Sequence, residues 1–256
     1  PNYIAGKMMI VRAFVLGLDL VLVEPSGNPL RDTDFEEIEF AAMVPLQALN
    51  SFQNEKELQQ FRKIKKTIIG GGVVSKTLLN LLQKEENNFY ATYGMTETIT
   101  HIAVKKLNGK EASDYYETLE NVEITTHTRG CLIINAPDVA EEKVITNDLV
   151  EIISPTKFKW LGPYDNIINT GGVKVIPENV EALLEKHLER RFFISSQPDE
   201  VLGERIILII EGAIFPKKEN EELSNFMKNN LTKFSIPKAV FFLEKFLETD
   251  SGKIKR

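Results

Sequence analysis

One cysteine, one tryptophan and three histidines among 256 residues leave little material for several kinds of chemistry. With Cys131 alone, neither an internal disulfide nor a cysteine metal cage can form, and a reducing cytoplasm is the natural compartment. Long apolar runs are also missing: the most apolar stretch, Ile10 to Val23, carries Arg12 and Asp19 and is broken by Gly17, so no membrane span is expected. Nor is there a basic excess. Thirty-one Lys and Arg against 37 Asp and Glu leave a net charge of −6, with the cations scattered along the chain, which argues against a nucleic-acid partner. The remaining composition, 43% hydrophobic and 27% charged, is that of a soluble globular protein able to bury a core in one large or two modest domains. The sequence opens at Pro1 inside what reads as a structured element, so a piece of a longer chain is expected and targeting signals are not legible.

Hydrophobic spacing predicts a helix over Tyr3 to Leu16, a stop at Gly17 and a buried strand over Leu18 to Glu24. A second helix is predicted over Asp34 to Leu49, kinked or broken at Pro45, and a third over Glu55 to Lys66. Then come a strand at Thr67 to Ile69, the triplet Gly70-Gly71-Gly72, a helix capped by Ser75 and a strand at Phe89 to Tyr93, which together read as a βαβ unit. From Val122 the texture becomes that of a small antiparallel or barrel-like region, with Val122 to His127 and Cys131 to Asn135 as a hairpin. Past Trp160, Gly162-Pro163-Tyr164-Asp165 interrupts the pattern. Strands at Asn166 to Asn169, Val173 to Ile176, Phe192 to Ser195 and Arg205 to Glu211 and helices at Glu178 to Leu188 and Glu219 to Leu231 suit a small α+β domain. The fold class expected is therefore α/β: residues 1–162 as a partial large domain with the βαβ unit and the small β region, and residues 163–256 as a small α+β domain joined by a hinge.

Gly70 to Gly72 lies between a strand and a helix, where absent side chains let backbone amides approach an anion, although a lone glycine triplet serves equally as a tight turn. Tyr93-Gly94-Met95-Thr96-Glu97 leaves a strand for a loop and offers a hydroxyl for a phosphate and a carboxylate for Mg²⁺, which prefers oxygen ligands shared with a nucleotide.

Tyr93 to Glu97 resembles the core motif of the adenylate-forming (AMP-binding) superfamily, which includes acyl-CoA ligases, luciferases and peptide-synthetase adenylation domains. Other motifs follow in that family's order. Gly70 to Gly72 resembles the adenine-side glycines, Thr146-Asn147-Asp148 the Thr-Gly-Asp whose aspartate binds ribose, Gly162 to Asp165 the hinge, Gly171-Gly172 the pair near the pantetheine path, and Ser251-Gly252-Lys253-Ile254 the terminal motif with the adenylation lysine. Any one motif is weak, but five in order over one chain are a strong signal. The resemblance implies an ATP-dependent acid–thiol ligase with ATP, Mg²⁺ and CoA as substrates and activating ion. It implies Lys253, Thr96 and Glu97 as catalytic residues, with Glu97 on the metal. Nucleotide contacts would fall to Gly70, Gly71, Gly72, Tyr93, Gly94, Met95, Thr96 and Asp148, CoA contacts to Gly171 and Gly172, and the hinge to Asp165.

Tyr3-Ile4-Ala5-Gly6-Lys7, continuing to Arg12 and Gly17, and Thr98-Ile99-Thr100-His101 after the core motif resemble the o-succinylbenzoate-CoA ligases of menaquinone synthesis. There an arginine on this helix meets the substrate's second carboxylate, and Arg12 falls on that position. His101 reads equally as lining the acyl pocket or as an ordinary half-buried histidine, and Cys131 reads as an inert core thiol. A homodimer is compatible with the sequence. Two departures stand out. The phosphate loop that the superfamily carries earlier in its sequence is not among these residues, and Pro163 replaces the arginine that normally follows the hinge glycine. Another aryl or fatty acyl-CoA ligase and a non-catalytic nucleotide-binding remnant therefore stay open as alternatives.

Overall fold

The computed structural model describes residues 4–248 and 254–255. The chain divides into two compact units, residues 1–146 with 151–159, and residues 147–150 with 160–256. Among the described residues no helix is long and apolar enough to cross a membrane.

Helix α1 spans Ile4–Leu16 and stops at Gly17, whose φ of 65° lies in the left-handed region that glycine enters without penalty. The strand predicted next does not form: Leu18 to Glu24 has no ladder partner and its side chains stand exposed, Leu22 at 83%. A β-branched run becomes a strand only where a neighbouring backbone accepts its amides. The helix predicted over Asp34 to Leu49 is also replaced. Strand β1 occupies Ile38–Met43, and helix α2, Pro45–Asn50, begins at the proline instead of breaking there. At the first helical position the missing N–H costs nothing and the fixed φ is already helical. Helix α3, Glu55–Arg62, is capped by Asn54, which accepts from the Lys56 and Glu57 amides.

The βαβ unit is present: β2 over Ile64–Ile69, helix α4 over Lys76–Leu82 with Ser75 accepting from the Leu78 amide, and β3 over Asn88–Gly94. Strands β1, β2 and β3 are parallel neighbours, and Ile69 pairs with Ala91. Antiparallel strands follow: β4, His101–Lys106; β5, Tyr116–Thr118; β6, Glu123–Thr126; β7, Cys131–Asn135; β8, Val144–Ser154; and β9, Lys157–Pro163. They do not make a separate barrel. β5 pairs with β9, so all nine strands form one sheet in the order β1-β2-β3-β4-β5-β9-β8-β7-β6. β6 and β7 make the expected hairpin, turning through Gly130. Phe61, Phe89, Ile69, Leu78 and Leu82 are fully buried between helices and sheet, each contributing about 1.5–3 kcal/mol of apolar burial.

In the second unit, β10 (Ile168–Thr170), β11 (Val173–Val175), β12 (Phe192–Asp199), β13 (Gly203–Glu211) and β14 (Ala239–Leu243) form a five-stranded sheet. Helices α5 (Pro177–Leu184) and α6 (Lys217–Asn230) give Leu184, Leu223 and Met227 to its core with Ile194 and Leu208.

One flaw in the first core is measurable. The Thr67 hydroxyl on β2 is buried and makes no hydrogen bond. Thr67→Val keeps the shape and removes the unpaired hydroxyl, so it should raise the unfolding free energy by about 1 kcal/mol in urea denaturation, and a loss of stability would show that the hydroxyl has a partner in solution.

Candidate active site

The ends of parallel strands collect the first group of candidates. Because Ile69 pairs with Ala91, the Gly70 to Gly72 turn leaves β2 beside Thr92, as β3 runs on into Tyr93 and Gly94. The Gly70 amide donates to the Met43 carbonyl at the end of β1 (3.0 Å), and a Cβ on Gly70 would strike the Thr92 hydroxyl. The crevice beyond the carboxyl ends of parallel strands is where open α/β sheets take ligands.

Tyr93 is buried in an aromatic cluster, 5.2 Å from Phe158 and 5.8 Å from Tyr116 between ring centroids, and burial pushes the Tyr116 phenol up to about 12. The cluster seats the root of a tight hairpin between β3 and β4. At its tip Thr96 and Glu97 are exposed within a 3-10 turn, Thr96–Thr98. Thr98 is wholly buried, its hydroxyl accepting from the Met95 amide (3.2 Å) and donating to the Thr100 carbonyl (2.9 Å). Gly94 pairs with His101 at a bulge, and a Cβ on it would lie 2.5 Å from the Thr100 carbonyl oxygen and 2.5 Å from His101 Cα. Only glycine lets the two backbones approach so closely.

Arg12 lies on α1 and His101 opens β4. The guanidinium lies 4.9 Å from the centre of the Phe40 ring on β1 and donates to Met9 Sδ at 2.9 Å. Burial holds the Arg12 pKa below its ordinary value, though a guanidinium remains a cation. The His101 pKa is also lowered, by burial first and by the Arg12 charge second, so the imidazole is neutral at pH 7. Arg12 thus offers a cation, which suits a carboxylate, and His101 a neutral donor or acceptor.

The remaining candidates belong to the second unit. Asp148 on β8 accepts a hydrogen bond from the Trp160 indole on β9 (2.9 Å), which fixes the carboxylate's orientation. Asp165 lies in the 3-10 turn Tyr164–Asn166 after Pro163, and its carboxylate accepts from the Asn147 side-chain amide at 2.7 Å. Gly171 and Gly172 connect β10 to β11 with φ values of 58° and 79°, a turn clamped by the Gly171 amide donating to Leu202 (2.9 Å). Lys253, with Ser251 and Gly252, lies outside the described residues.

The contacts of Trp160 with Asp148 and of Asn147 with Asp165 went unread in the sequence. Their roles depend on how β8 registers with β9 and on where the turn after Pro163 points, and no local spacing encodes either. A separate cleft of about 510 Å³ is lined by Glu117, Glu120, Glu123 and Asp138 and holds none of the candidates, its carboxylates being ill suited to an anionic nucleotide.

No family model matches the sequence. A 2-succinylbenzoate–CoA ligase of Bacillus cytotoxicus is 22% identical, the alignment covering 99% of this chain and 58% of that protein. o-Succinylbenzoate CoA synthetase (MenE) of Bacillus subtilis in complex with the acyl-adenylate intermediate OSB-AMP superposes with a TM-score of 0.79 at 20% identity, over 98% of this chain and 57% of that one, a likeness of fold. The same enzyme with ATP and magnesium gives 0.77 at 19%, over 98% and 58%. The chain thus spans just over half the length of these proteins. An acyl-CoA synthetase (AMP-forming)/AMP-acid ligase II-like protein of Dyadobacter fermentans is 36% identical with a TM-score of 0.63, over 99% of this chain and 73% of that one. At that identity and coverage, the chain belongs to the AMP-forming acyl-CoA synthetase family of adenylate-forming enzymes.

Proposed function

We propose that this chain belongs to an ATP-dependent acid–thiol ligase that activates a carboxylic acid as its acyl-adenylate and passes the acyl group to CoA, and that the acid is o-succinylbenzoate. What supports the acid assignment is Arg12, whose guanidinium lies against the Phe40 ring and whose charge bears on His101, just after the Thr96–Glu97 hairpin. A dicarboxylate with one group activated and the other anchored calls for such a cation, and relatives named 2-succinylbenzoate–CoA ligase support the choice.

A carboxylate is a poor acyl donor because oxide would have to leave. Attack of its oxygen on the α-phosphorus of ATP expels pyrophosphate and gives an anhydride from which AMP can leave. The CoA sulfur then attacks the acyl carbon, forming the thioester and releasing AMP. In this reading Arg12 anchors the distal carboxylate and the neutral His101 contributes a hydrogen bond beside it. The Thr96 hydroxyl donates to a phosphate oxygen, and Asp148, held by Trp160, accepts from the ribose hydroxyls. Lys253 supplies a cation where the acyl-phosphate bond forms. Gly171 and Gly172 offer bare backbone to the pantetheine chain, and Asp165 is the hinge position. Among the described residues no three acidic, His or Cys side chains cluster as a cage for a metal ion, while Glu97 is exposed beside Thr96. That suits Mg²⁺, which takes few protein ligands and completes its shell with phosphate oxygens and water. When bound, it would offset charge on the phosphates, and Glu97 is the residue that would hold it.

Two substitutions test this reading. Arg12→Ala should raise KM for o-succinylbenzoate at least about tenfold and leave KM for ATP nearly unchanged, since it removes an anchor and not a reacting group. Losing the neighbouring charge should also let the His101 pKa rise toward its ordinary value in an NMR titration. The sign can be checked in stability: a histidine with a lowered folded pKa contributes stability that is complete above its unfolded value and is lost as pH falls through the folded one, so Arg12→Ala should soften the acid limb. Equal effects on both KM values would overturn the acid assignment. Lys253→Ala should slow pyrophosphate exchange by about 3–4 kcal/mol, several hundredfold, and leave thioester formation from supplied acyl-adenylate within about tenfold. Matched losses in both half-reactions would assign Lys253 a structural role.

A further inference from the structure

Strand β4 carries a lysine that the proposed mechanism does not use. Lys105, one residue before the end of the strand, is half-buried, and its ammonium lies 4.9 Å from the centre of the Tyr116 ring on β5. Among the described residues its amine has no hydrogen-bond or ion-pair partner, unlike other lysines of this unit. Lys106 donates to the Asn88 side chain at 2.6 Å, Lys65 reaches Glu37 and Glu39 at 2.6 Å, and Lys157 pairs with Glu117 at 3.6 Å. The ring beneath Lys105 supplies no anion. Burial pushes the Tyr116 phenol up to about 12, so it is neutral at pH 7, and the ring is itself stacked on Phe158 at 5.5 Å. A ring face attracts an ammonium, but it accepts none of the proton bonds that a carboxylate would. Across the ladder on β3, Lys105 faces Ala91, which carries no charge. Two charges bear on the amine from elsewhere and oppose each other, the Asp114 carboxylate before β5 and the Lys159 ammonium on β9. Burial is the larger influence, so the Lys105 pKa lies below its ordinary value, and near neutral pH more of the amine is uncharged than in a fully solvated lysine.

We propose that Lys105 is an acylation site of this protein, taking an acyl group from an acyl-CoA thioester without a second enzyme. The uncharged nitrogen attacks the thioester carbonyl carbon, the C–S bond breaks, and CoA leaves as the thiolate while the nitrogen gives up a proton to water and becomes an amide. The ligase reading given above supplies a source of such a thioester, and the inference rests on it for that alone. An amide suits the half-buried position better than an ammonium without an anionic partner, since no charge is left to desolvate. It would also replace a cation held against the aromatic cluster of Tyr93, Tyr116 and Phe158, the cluster that seats the hairpin bearing Thr96 and Glu97.

The test supplies acetyl-CoA to this chain and follows the acetyl content of each lysine by peptide mass spectrometry, with Lys105→Arg to fix the assignment of the signal. At pH 7 Lys105 should gain acetyl at least about threefold faster than Lys228, an exposed lysine on α6 in the second unit. That advantage should fall away as pH rises through the ordinary lysine range, about 10.4, where every amine becomes free and exposure decides. Asp114 and Lys159 are exposed, so their substitution leaves the core intact. Asp114→Asn should speed acetylation of Lys105 about twofold or more, and Lys159→Met should slow it by a similar factor, with Lys228 unchanged in both. Acetylation of Lys105 no faster than of Lys228 at pH 7, an advantage that persists at high pH, or rates indifferent to both charges would each overturn the inference. Because the donor is supplied, these outcomes are separate from any failure of the ligase reading, which would show as absent thioester synthesis with Lys105 still acetylated first.

Discussion

The parallel pairing of β2 with β3 is the constraint on which the candidate site depends. Opposing Ile69 to Ala91 carries the two strands out of the sheet side by side, so a glycine turn and a hydroxyl- and carboxylate-bearing hairpin leave from adjacent backbones. A slip of one residue would turn Ile69 and Phe89 out of the core and Thr92 away from Gly70. The burial of Phe89 and Ile69 against α4 and the placing of Thr96 and Glu97 are therefore one event. Apolar packing, which is non-directional, selects the register; register, which is directional, delivers the polar groups.

A different kind of constraint acts around Asp148 and Asp165. Both carboxylates already accept hydrogen bonds from side chains, Trp160 in one case and Asn147 in the other. Where the resemblance leads one to expect glycine in the Thr-Gly-Asp triplet, this chain carries Asn147, and its amide reaches Asp165. The carboxylate read as the hinge thus has a partner that glycine could not provide. The Trp160 contact limits the orientations open to Asp148.

What could be read from the sequence was local chemistry. Ser75 as a cap, Gly17 as a stop, Pro177 at the first position of α5 and the hairpin through Gly130 are decided by a few adjacent residues, and all stand as expected. Misread elements depend on partners far along the chain. Residues 34–49 have helical spacing, yet Ile38 to Met43 forms a strand because β2 supplies a ladder for it. Leu18 to Glu24 has the composition of a strand, yet no backbone in the described chain pairs with it. The candidate residues rest on something separate, the order their motifs keep along the chain. Geometry is not contained in that order: the charge of Arg12 on a helix bears on His101 at the start of a strand, and that coupling shows only in coordinates.

The unpaired segment after α1 has a material consequence. Leu20, Val21, Leu22 and Val23 lie together and exposed, with Phe14, Val15 and Leu16 exposed on the helix just before them. A short run of high β-propensity with open amides and carbonyls is a template for strand addition by any similar segment in solution. Asp19 on one side and Glu24 with Pro25 on the other act as gatekeepers, adding charge and withholding an amide at the two ends of the run. In this chain taken alone, a lysine placed at Leu22 would interrupt that run where charges added elsewhere would not.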